Sequence, residues 1–163
     1  MAVVVKRLVG NVKLNFVVEF FTKTFEKLTT NELYQMLKLR SEVFVVEQDC
    51  VYQDVDDKDQ KALHVLGMIE GKLIAYSRVF DKGIYFNEAS IGRVVVKQEY
   101  RKYSYGHVLI EKSIAAVENN FQQQTIKISA QAYLEKFYQK HGFITQGNSY
   151  LEDGIPHLAM YRN

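Results

Sequence analysis

A short basic turn between an apolar strand and an amphipathic helix is the part of this sequence best suited to chemistry. Val94, Val95 and Val96 form the apolar run, and the segment 101–106 (Arg-Lys-Tyr-Ser-Tyr-Gly) follows where a helical pattern begins. Backbone N–H groups in the first turn of a helix have no acceptor within the helix, and the helix dipole places partial positive charge there. The pattern therefore predicts a phosphate-binding turn whose direction is fixed by the strand before it.

The bulk composition favours a protein that handles small molecules or peptides. The chain has 163 residues, of which 47% are hydrophobic and 25% charged, as in ordinary globular domains. A net charge of +2, with basic residues scattered along the chain, argues against nucleic acid as a partner. No apolar run approaches the ~20 residues that a membrane span requires, so no membrane association is expected.

The cysteine content and the N-terminus bear on where the protein acts. Cys50 is the only cysteine, so no internal disulfide can form and the chain is compatible with a reducing cytoplasm. We interpret Cys50 as a small buried hydrophobe. Residues 1–14 have an apolar run before Lys6 and Arg7, the reverse of a signal peptide, and form either an extra strand or an extension. Residues 15–163 are predicted to be a single domain.

Hydrophobic periodicity predicts strands and helices in alternation along the chain. We predict a strand at 16–21, a helix over 31–46, a hairpin of 62–69 and 73–80, a strand at 91–96, a helix from Gly106 to Phe121, a strand at 126–130, a helix over 133–140, and strands at 143–146 and 158–161, with Pro156 in a loop before the last strand. This order indicates a mixed α/β domain with helices on both faces of one sheet.

That order, together with four local motifs, resembles the GNAT N-acetyltransferase superfamily and in particular its ElaA-like branch. The motifs are LRSEVFVVEQ (39–48) followed by YQDVD (52–56), IGRVVV (91–96), AQAYL (130–134) with FY (137–138), and YLEDGIPH (150–157). The resemblance runs from about Thr30 to the C-terminus.

The resemblance implies both a fold and a reaction. The fold would be a central mixed, mostly antiparallel, twisted sheet with helices on both faces. The reaction would move the acetyl group of acetyl-CoA, the co-substrate, to a primary amine of a small molecule or peptide by direct attack and without a metal. A homodimer is compatible with this family.

The resemblance also implies a set of residues that bind the cofactor. The strand Val94–Val96 would offer its edge to the pantetheine arm, and the turn would bind the pyrophosphate. The cofactor-binding residues in this turn would be Arg101, Lys102, Ser104, Tyr105 and Gly106. The family pattern has Gly where Ser104 stands, and Ser tolerates fewer backbone conformations. Lys102, Tyr103 and Tyr105 are expected at the rim of the site.

Tyr138 matches the tyrosine that serves the family as general acid. A neutral Tyr, with a reference pKa near ~10, keeps its proton at pH 7 and can donate it to a leaving thiolate. The alternative is a core Tyr that packs a helix against the sheet.

The attacking amine must also lose a proton, and several side chains could accept it. The candidates are Glu47, Asp54, Asp56, His64 and His157. We take Glu47 and His64 as the catalytic candidates, although a solvated helix-end carboxylate and a structural histidine are equally plausible roles for them. His157 is assigned to substrate binding. Arg93, unusual among apolar neighbours, is assigned either to a buried salt bridge or to the substrate pocket. His107 and His141 are expected to be ordinary surface residues.

The acidic loop that contains Asp54 and Asp56 predicts attraction of a cationic acceptor such as a polyamine, an aminoglycoside or a Lys-bearing peptide. A calcium site is excluded because Lys58 stands at the third ligand position of the EF-hand pattern. Histidine and cysteine spacing typical of zinc is also lacking.

Two further functions remain open at the level of sequence. A CoA-binding sensor or interaction module of the same fold would keep the turn without efficient transfer, and Ser104 favours this alternative. Transfer of a longer acyl chain, or transfer to a hydroxyl, is the other.

Overall fold

The computed structural model describes residues 3–9, 12–122 and 125–163. Nine strands lie within these ranges: β1 (Val3–Val9), β2 (Val12–Thr24), β3 (Leu63–Ile69), β4 (Lys72–Phe80), β5 (Ala89–Val96), β6 (Ile126–Gln131), β7 (Ile144–Thr145), β8 (Tyr150–Glu152) and β9 (Ile155–Arg162). The α-helices there are α1 (Thr30–Arg40), α2 (Tyr105–Phe121) and α3 (Glu135–Gln139). Short 3-10 turns span Phe25–Lys27, Asp59–Lys61, Gln98–Tyr103 and Ala132–Leu134.

The strands form one sheet in the order β1-β2-β3-β4-β5-β6-β9-β7, with β8 paired to β9. β5 and β6 run parallel, and the other paired strands of the described chain are antiparallel. The predicted mixed, mostly antiparallel sheet is therefore confirmed. The parallel pair lies in the middle of the sheet, where β5 leads into α2 before the chain returns as β6.

Helices cover both faces of this sheet, as predicted. Successive residues of a strand point to opposite faces, and Val65 and Leu66 of β3 belong to two different apolar clusters. Leu109 and Ile110 of α2 pack in the cluster of Val65, whereas Met36 of α1 packs in that of Leu66. The candidate site can therefore receive side chains from both sides of the sheet.

The local signals that start α1 act as helix caps. The Thr29 hydroxyl accepts a hydrogen bond from the backbone N–H of Glu32, and the Glu32 carboxylate accepts one from the backbone N–H of Thr29, which makes a capping box. The helix predicted over 31–46 begins at Thr30 and changes to a π-helical segment over Ser41–Glu47. This wider segment carries Glu47 to the mouth of the site.

The predicted hairpin of 62–69 and 73–80 is confirmed. β3 and β4 are joined by Glu70 and Gly71, which both have positive φ angles (48° and 75°), as a two-residue hairpin turn requires.

The prediction for Pro156 is wrong, because this residue lies inside β9 and pairs with Leu151 of β8. Proline has no N–H for a ladder and is tolerated near the start of a strand. Pro156 lies just outside the β6–β9 ladder, which ends at the Gln131–His157 pair. The β8–β9 hairpin turns at Asp153 and Gly154, and its residues become important at the candidate site.

The N-terminal strands extend the sheet at the β2 edge. β1 pairs with β2 over Val3–Val18, and only Glu19–Thr24 of β2 pairs with β3. Residues 1, 2, 10 and 11 of the predicted extension lie outside the described residues, and the domain boundary at residue 14 stays a prediction. None of the helices in the described ranges is long and apolar enough to cross a membrane.

Candidate active site

The candidate site is a cleft between β5 and β6. The two strands pair only at Ala89–Ile126 and Ser90–Lys127 and then separate. A cavity of about 500 Å³ opens between them and is lined by every residue of β5 from Ser90 to Val96 and by Ser129 and Gln131 of β6. The edge of β5 that faces this cavity is therefore not paired with β6 beyond Ser90.

A β-bulge distorts β5 beside this opening. Tyr76 of β4 lies opposite Val95 and Arg78 opposite Gly92, so Arg93 and Val94 together face Ser77 alone. Arg93 has a φ of 50°, a left-handed conformation that is costly for a residue with a side chain. A bulge bends its strand and increases the local twist. The bulge lies in the part of β5 that is no longer paired with β6.

The predicted phosphate-binding turn lies at the end of β5, where Arg101, Ser104 and Gly106 line the cavity. Ser104 links the 3-10 turn to α2 and has a φ of 61°, and its side chain makes no capping hydrogen bond. Gly106 approaches Phe137 closely, since a Cβ atom there would lie 3.5 Å from the ring. The first turn of α2 thus opens toward the cleft with backbone N–H groups that have no intrahelical acceptor.

Tyr138 of α3 lines the same cavity and is buried. Its ring packs edge-on against Phe137 (centroid distance 5.0 Å) and Phe143 (5.9 Å). Burial raises the pKa of Tyr138 well above its ordinary value, so the side chain keeps its proton at neutral pH. Both sequence-level roles, core packing and access to the site, fit the same side chain.

Asp54, predicted to bind substrate, is instead part of a buried ion-pair cluster. Its carboxylate accepts hydrogen bonds from Arg40 Nε at 2.7 Å, Arg93 Nε at 2.6 Å and the Tyr52 hydroxyl at 2.9 Å. Asp54 does not line the cavity. The prediction that it attracts a cationic acceptor is corrected, because its charge is already matched by arginine.

Asp56 is corrected in the same way. Arg78 Nη1 and Nη2 donate to the two oxygens of Asp56 at 2.6 and 2.7 Å, and Asp59 accepts from Arg40 at 2.7 Å and from Arg78 at 2.9 Å. Burial alone would raise the pKa of Asp56, but the Arg78 hydrogen bonds and charge outweigh it and lower that pKa to about 2. The acidic loop is thus tied to the sheet and does not face an acceptor.

His64 is a structural histidine rather than the predicted base. It is fully buried, and its Nε2 lies 3.0 Å from the Asp59 carbonyl oxygen while its Nδ1 lies 2.8 Å from the Tyr76 hydroxyl. Because a carbonyl can only accept, Nε2 carries the proton and the Tyr76 hydroxyl donates to Nδ1. Burial lowers the pKa of His64, and no lone pair is left for catalysis.

Comparison with known proteins establishes the family. A family model described as the acetyltransferase (GNAT) domain matches residues 24–163. The chain belongs to the GNAT acetyltransferase family. Protein ElaA of Escherichia coli strain K12 is 38% identical over 138 residues, which are 83% of this chain and 90% of ElaA. The predicted resemblance is therefore confirmed, and with it the enzyme class of the acyl-CoA N-acyltransferases.

Solved structures agree with this membership. The crystal structure of Escherichia coli ElaA superposes with a TM-score of 0.84 at 36% identity and covers 90% of this chain and 99% of that one. An acyl-CoA N-acyltransferase from Pseudomonas aeruginosa has a TM-score of 0.84 at 39% identity, with 89% and 99% coverage. An aminoglycoside 6′-N-acetyltransferase complexed with coenzyme A shares the fold, with a TM-score of 0.65 at 14% identity over 87% and 96% of the two chains.

Two of the predicted cofactor-binding residues in the predicted phosphate-binding turn do not line the cavity. Tyr105 is buried in the core, where its ring contacts Tyr100 (6.4 Å) and Tyr103 (5.8 Å), so the prediction that it lies at the rim is wrong. Lys102 is exposed, and its Nζ lies 5.3 Å from the Tyr103 ring rather than in the cavity lining. The periodicity of α2 carries a residue at position 105 to the core face, which the motif alone did not reveal.

Glu47, the other predicted base, lines the cavity beside the predicted phosphate-binding turn, but its carboxylate forms an ion pair with Arg101. Arg101 Nη1 and Nη2 donate to its two oxygens at 2.6 and 2.8 Å, and Arg101 Nε donates to the Val96 carbonyl at 2.9 Å. Both carboxylate oxygens of Glu47 are therefore engaged by Arg101. Through Arg101, Glu47 connects the end of the π-helical segment to the turn and to the end of β5.

Arg93 and His157, both predicted to bind substrate, line the cavity. Arg93 is held by its ion pair to Asp54, and its guanidinium carbon lies 5.6 Å from the Tyr52 ring. Both sequence-level roles for Arg93 are thus compatible with its position. The His157 ring stacks on Tyr150 at 6.2 Å, and its Nδ1 lies 2.8 Å from the Ile155 carbonyl oxygen.

Three residues for which the sequence predicted no role in the site lie in other surroundings than expected. His107 and His141, expected on the surface, are half-buried and joined by a hydrogen bond of 2.8 Å between His107 Nδ1 and His141 Nε2, and His107 lines the cavity. Cys50, expected in the core, is half-buried and lines the cavity, with its Sγ 3.7 Å from the Asp153 carbonyl oxygen.

Sequence reasoning missed the residues at the other end of the cavity. They come from β5, β6, β8 and the loop before β5: Tyr85, Phe86, Ser90, Ser129 and Glu152. The Asp-Gly pair at 153–154 was the available signal, because it is a typical hairpin turn and would have placed Glu152 opposite Ile155.

Proposed function

We propose that this enzyme transfers the acetyl group of acetyl-CoA to a primary amine of a small molecule or peptide by direct attack. The observation that carries the proposal is the cleft between β5 and β6, which leaves a strand edge free beside the N-terminus of α2. The family membership and the coenzyme A bound to the aminoglycoside acetyltransferase of the same fold support this choice of donor.

The cleft offers two kinds of contact to acetyl-CoA. The pantetheine arm carries amide groups that can hydrogen-bond to the free edge at Val94–Val96, as an added strand would. The pyrophosphate fits the N-terminus of α2 at Ser104 and Gly106. Because the Arg101 side chain already pairs with Glu47, the backbone N–H groups and the helix dipole supply most of the phosphate binding.

The transfer step needs an oxyanion donor and an acid. A backbone N–H of Val94–Val96 can donate to the thioester oxygen as negative charge develops there. The amine nitrogen forms a bond to the carbonyl carbon, the C–S bond breaks, and the thiolate takes the proton of Tyr138. The nitrogen loses one proton to solvent, and the Tyr138 phenolate regains one from solvent. Burial favours neutral forms, so a thiolate leaving into the same cavity also binds its proton more tightly.

Calorimetric titration with acetyl-CoA, dephospho-CoA and pantetheine tests the donor site directly. We expect saturable binding of acetyl-CoA and of dephospho-CoA, which keeps the pyrophosphate, and much weaker binding of pantetheine, which lacks it. A thiol-release assay with a panel of amines then tests transfer. Failure of millimolar acetyl-CoA to bind would overturn the proposal.

A CoA-binding sensor is the second candidate, favoured by the strained Ser104 in the phosphate turn. Tight binding of CoA without thiol release for any amine would select the sensor. An acyl-chain series in the same assay distinguishes acetyl transfer from transfer of longer chains, and hydroxyl acceptors can be included.

We assign the cytoplasm as the place of action, since the sequence contains one cysteine and needs no internal disulfide. A homodimer stays a prediction, to be checked by light scattering.

A further inference from the structure

The end of the cavity away from the phosphate turn is walled by aromatic rings. Ser90 lies at the start of β5, roughly 20 Å along the strand from Val96, and it pairs with Phe80 of β4. The Phe80 and Tyr85 rings are parallel within 9° at 5.7 Å, and Phe86 meets Tyr85 edge-on at 4.8 Å. Phe80, Tyr85 and Phe86 all line the cavity and form what we call the aromatic wall.

Glu152 of β8 brings a carboxylate beside this wall. Glu152 and Tyr85 line the same cavity. Burial, the larger cause, and the charge of Glu152, the next cause, raise the pKa of Tyr85. Ser129 Oγ lies 2.6 Å from both Glu152 Oε2 and the Tyr150 hydroxyl. Because Ser129 uses its only proton toward the carboxylate, Tyr150 donates to Ser129. These two hydrogen bonds fix the Glu152 carboxylate through Oε2. They leave its Oε1 without a hydrogen bond to any described residue.

The charge of Glu152 is not matched by a cation. Arg78 and Arg93, the arginines that line this end, are committed to Asp56, Asp59 and Asp54. In the described part of the chain no Lys, Arg or His nitrogen forms an ion pair with the Glu152 carboxylate, while Lys127 Nζ lies over the Phe86 ring at 4.5 Å. A half-buried carboxylate that lines a cavity and has no cationic partner suits the binding of an ammonium group.

His157 supplies a lone pair a short distance along the same hairpin, opposite Tyr150. Its Nδ1 lies 2.8 Å from the Ile155 carbonyl oxygen, which can only accept, so Nδ1 carries the proton of the neutral ring. Nε2 is therefore the basic nitrogen, and it makes no hydrogen bond to a described residue. Fixing one ring nitrogen by a backbone carbonyl sets the orientation and tautomer of a catalytic histidine.

We infer that this end of the cavity is an acceptor site for a primary amine attached to an aromatic group, in which Glu152 binds the ammonium and His157 Nε2 takes the proton that the nitrogen releases during attack. The inference rests on the proposed function for the source of the acetyl group. The aromatic wall receives the flat apolar part of such an amine. Polyamines and other polycations are poor acceptors, because the carboxylates of the acidic loop are already paired with arginines.

The proton balance of the step is complete. The ammonium loses one proton to solvent on the way to the reactive amine, and the nitrogen then attacks the thioester carbon. As the C–N bond forms and the C–S bond breaks, the nitrogen passes a proton to His157 Nε2 and the thiolate takes the proton of Tyr138. The imidazolium then gives up its proton and the phenolate regains one through solvent, so that both side chains return to their starting states.

The acceptor site is tested first by binding, independently of transfer. Calorimetric titration of the CoA complex with 2-phenylethylamine should give saturable binding that weakens by about tenfold or more in Glu152→Gln, the loss expected for a charged hydrogen bond. Glu118→Gln, an exposed carboxylate on α2, should bind as the unchanged protein does. Equal affinity in the Glu152 variant, or tighter binding of spermidine than of 2-phenylethylamine, overturns the inference.

The role of His157 is tested by chemical rescue. His157→Ala should lower kcat by about 100-fold, with the affinity for acetyl-CoA unchanged, and imidazole added to the medium should restore part of the rate. A loss of kcat that imidazole does not restore, in a variant that still binds acetyl-CoA, overturns this role. If the unchanged enzyme binds both ligands but releases no thiol, the proposed function fails, whereas dependence of amine binding on Glu152 still supports the site.

Discussion

Tyr138 belongs to the core and to the cavity at the same time. Its ring packs against Phe137 and Phe143, and the same side chain lines the cleft next to the predicted phosphate-binding turn. Packing therefore holds the Tyr138 ring in one orientation, which suits the proton-donor role that we propose for it.

Replacing Tyr138 by Phe is expected to lower kcat by about 100-fold. The hydroxyl is lost while the ring stays, so the dissociation constant for acetyl-CoA and the melting temperature should change little. Steady-state thiol release and calorimetry measure these quantities, and Tyr34→Phe on the exposed face of α1 is the control. An unchanged kcat in the Tyr138 variant would assign Tyr138 to packing alone.

Replacing Ser104 by Gly is expected to stabilise the protein by about 1 kcal/mol, because the φ of 61° is strained for Ser and free for Gly. A melting temperature higher by about 2–4 °C would follow, and scanning calorimetry measures it. Ser104→Ala should match the unchanged protein, since the Ser104 hydroxyl makes no capping hydrogen bond. A lower stability for the Gly variant would contradict this account.

Local pattern identified some of the cavity-lining residues and misplaced others, for a physical reason. Val94–Val96 and Ser104 lie in one continuous strand–turn–helix segment, so their relative positions follow from short-range geometry. His64 has the chemistry of a base, but its burial depends on Asp59 and Tyr76, which pair with it through the fold. Residue type alone cannot distinguish a satisfied histidine from a free one.

At the scale of elements, the ion-pair cluster connects parts of the chain that do not otherwise share a helix or strand. Arg40 ends α1, Arg78 lies in β4, and Asp54 and Asp59 belong to the connection between α1 and β3. The cluster fixes this connection against the sheet and so positions the side of the cleft that faces α1.

Asp59→Asn is therefore expected to destabilise the protein by about 3 kcal/mol, because it removes the negative charge that both Arg40 and Arg78 contact and leaves their buried positive charges only partly matched. Urea unfolding at pH 7 measures the loss. Asp57→Asn is a matched control, since Asp57 is exposed in the same loop and Asn tolerates its φ of 57°. A loss below 1 kcal/mol for the Asp59 variant would show that the cluster contributes little.

The same cluster makes stability depend on acid pH. The pKa of Asp56 is about 2 in the folded protein and near 3.9 in an unfolded chain. The unfolded state binds more protons between these values. The contribution of Asp56 to the free energy of unfolding is therefore fully present above pH 5 and falls as the pH is lowered toward 2. Urea midpoints measured from pH 6 to pH 2 should fall less steeply for Asp56→Asn than for Asp57→Asn; parallel curves would refute this.

Elements with strong local signals were predicted, and those defined by pairing were not. The capping box at Thr29 and the two-residue turn at Glu70 and Gly71 mark α1 and the β3–β4 hairpin in the sequence itself. β8 has three residues and is a strand only because β9 lies beside it. Pro156 obscured this hairpin, since proline normally argues against a strand.

At the scale of the whole molecule, the order of elements predicted the fold class, while the cavity could not be predicted. The cavity depends on where β5 and β6 cease to pair and on β8 and the loop before β5 reaching the same space. These are long-range consequences of register. The pairing of the acidic loop with arginines also depends on the fold, because these arginines are distant from the loop in sequence.

Binding of CoA across this cleft should stabilise the whole fold. At a concentration 100 times its dissociation constant, CoA would add about 2.7 kcal/mol to the free energy of unfolding, which corresponds to a rise in melting temperature of roughly 5–10 °C. A thermal melt with CoA and with pantetheine at equal concentration measures this. The same melting temperature in both ligands would contradict a pyrophosphate site.

The bulge at Arg93 and Val94 has a consequence for how a regular β5 could arise. Side chains before the bulge alternate normally, and one surplus residue shifts those after it by half a period, so an in-frame loss of a single codon would restore the regular alternation. The bulged strand and a regular β5 thus differ, in genetic terms, by three nucleotides.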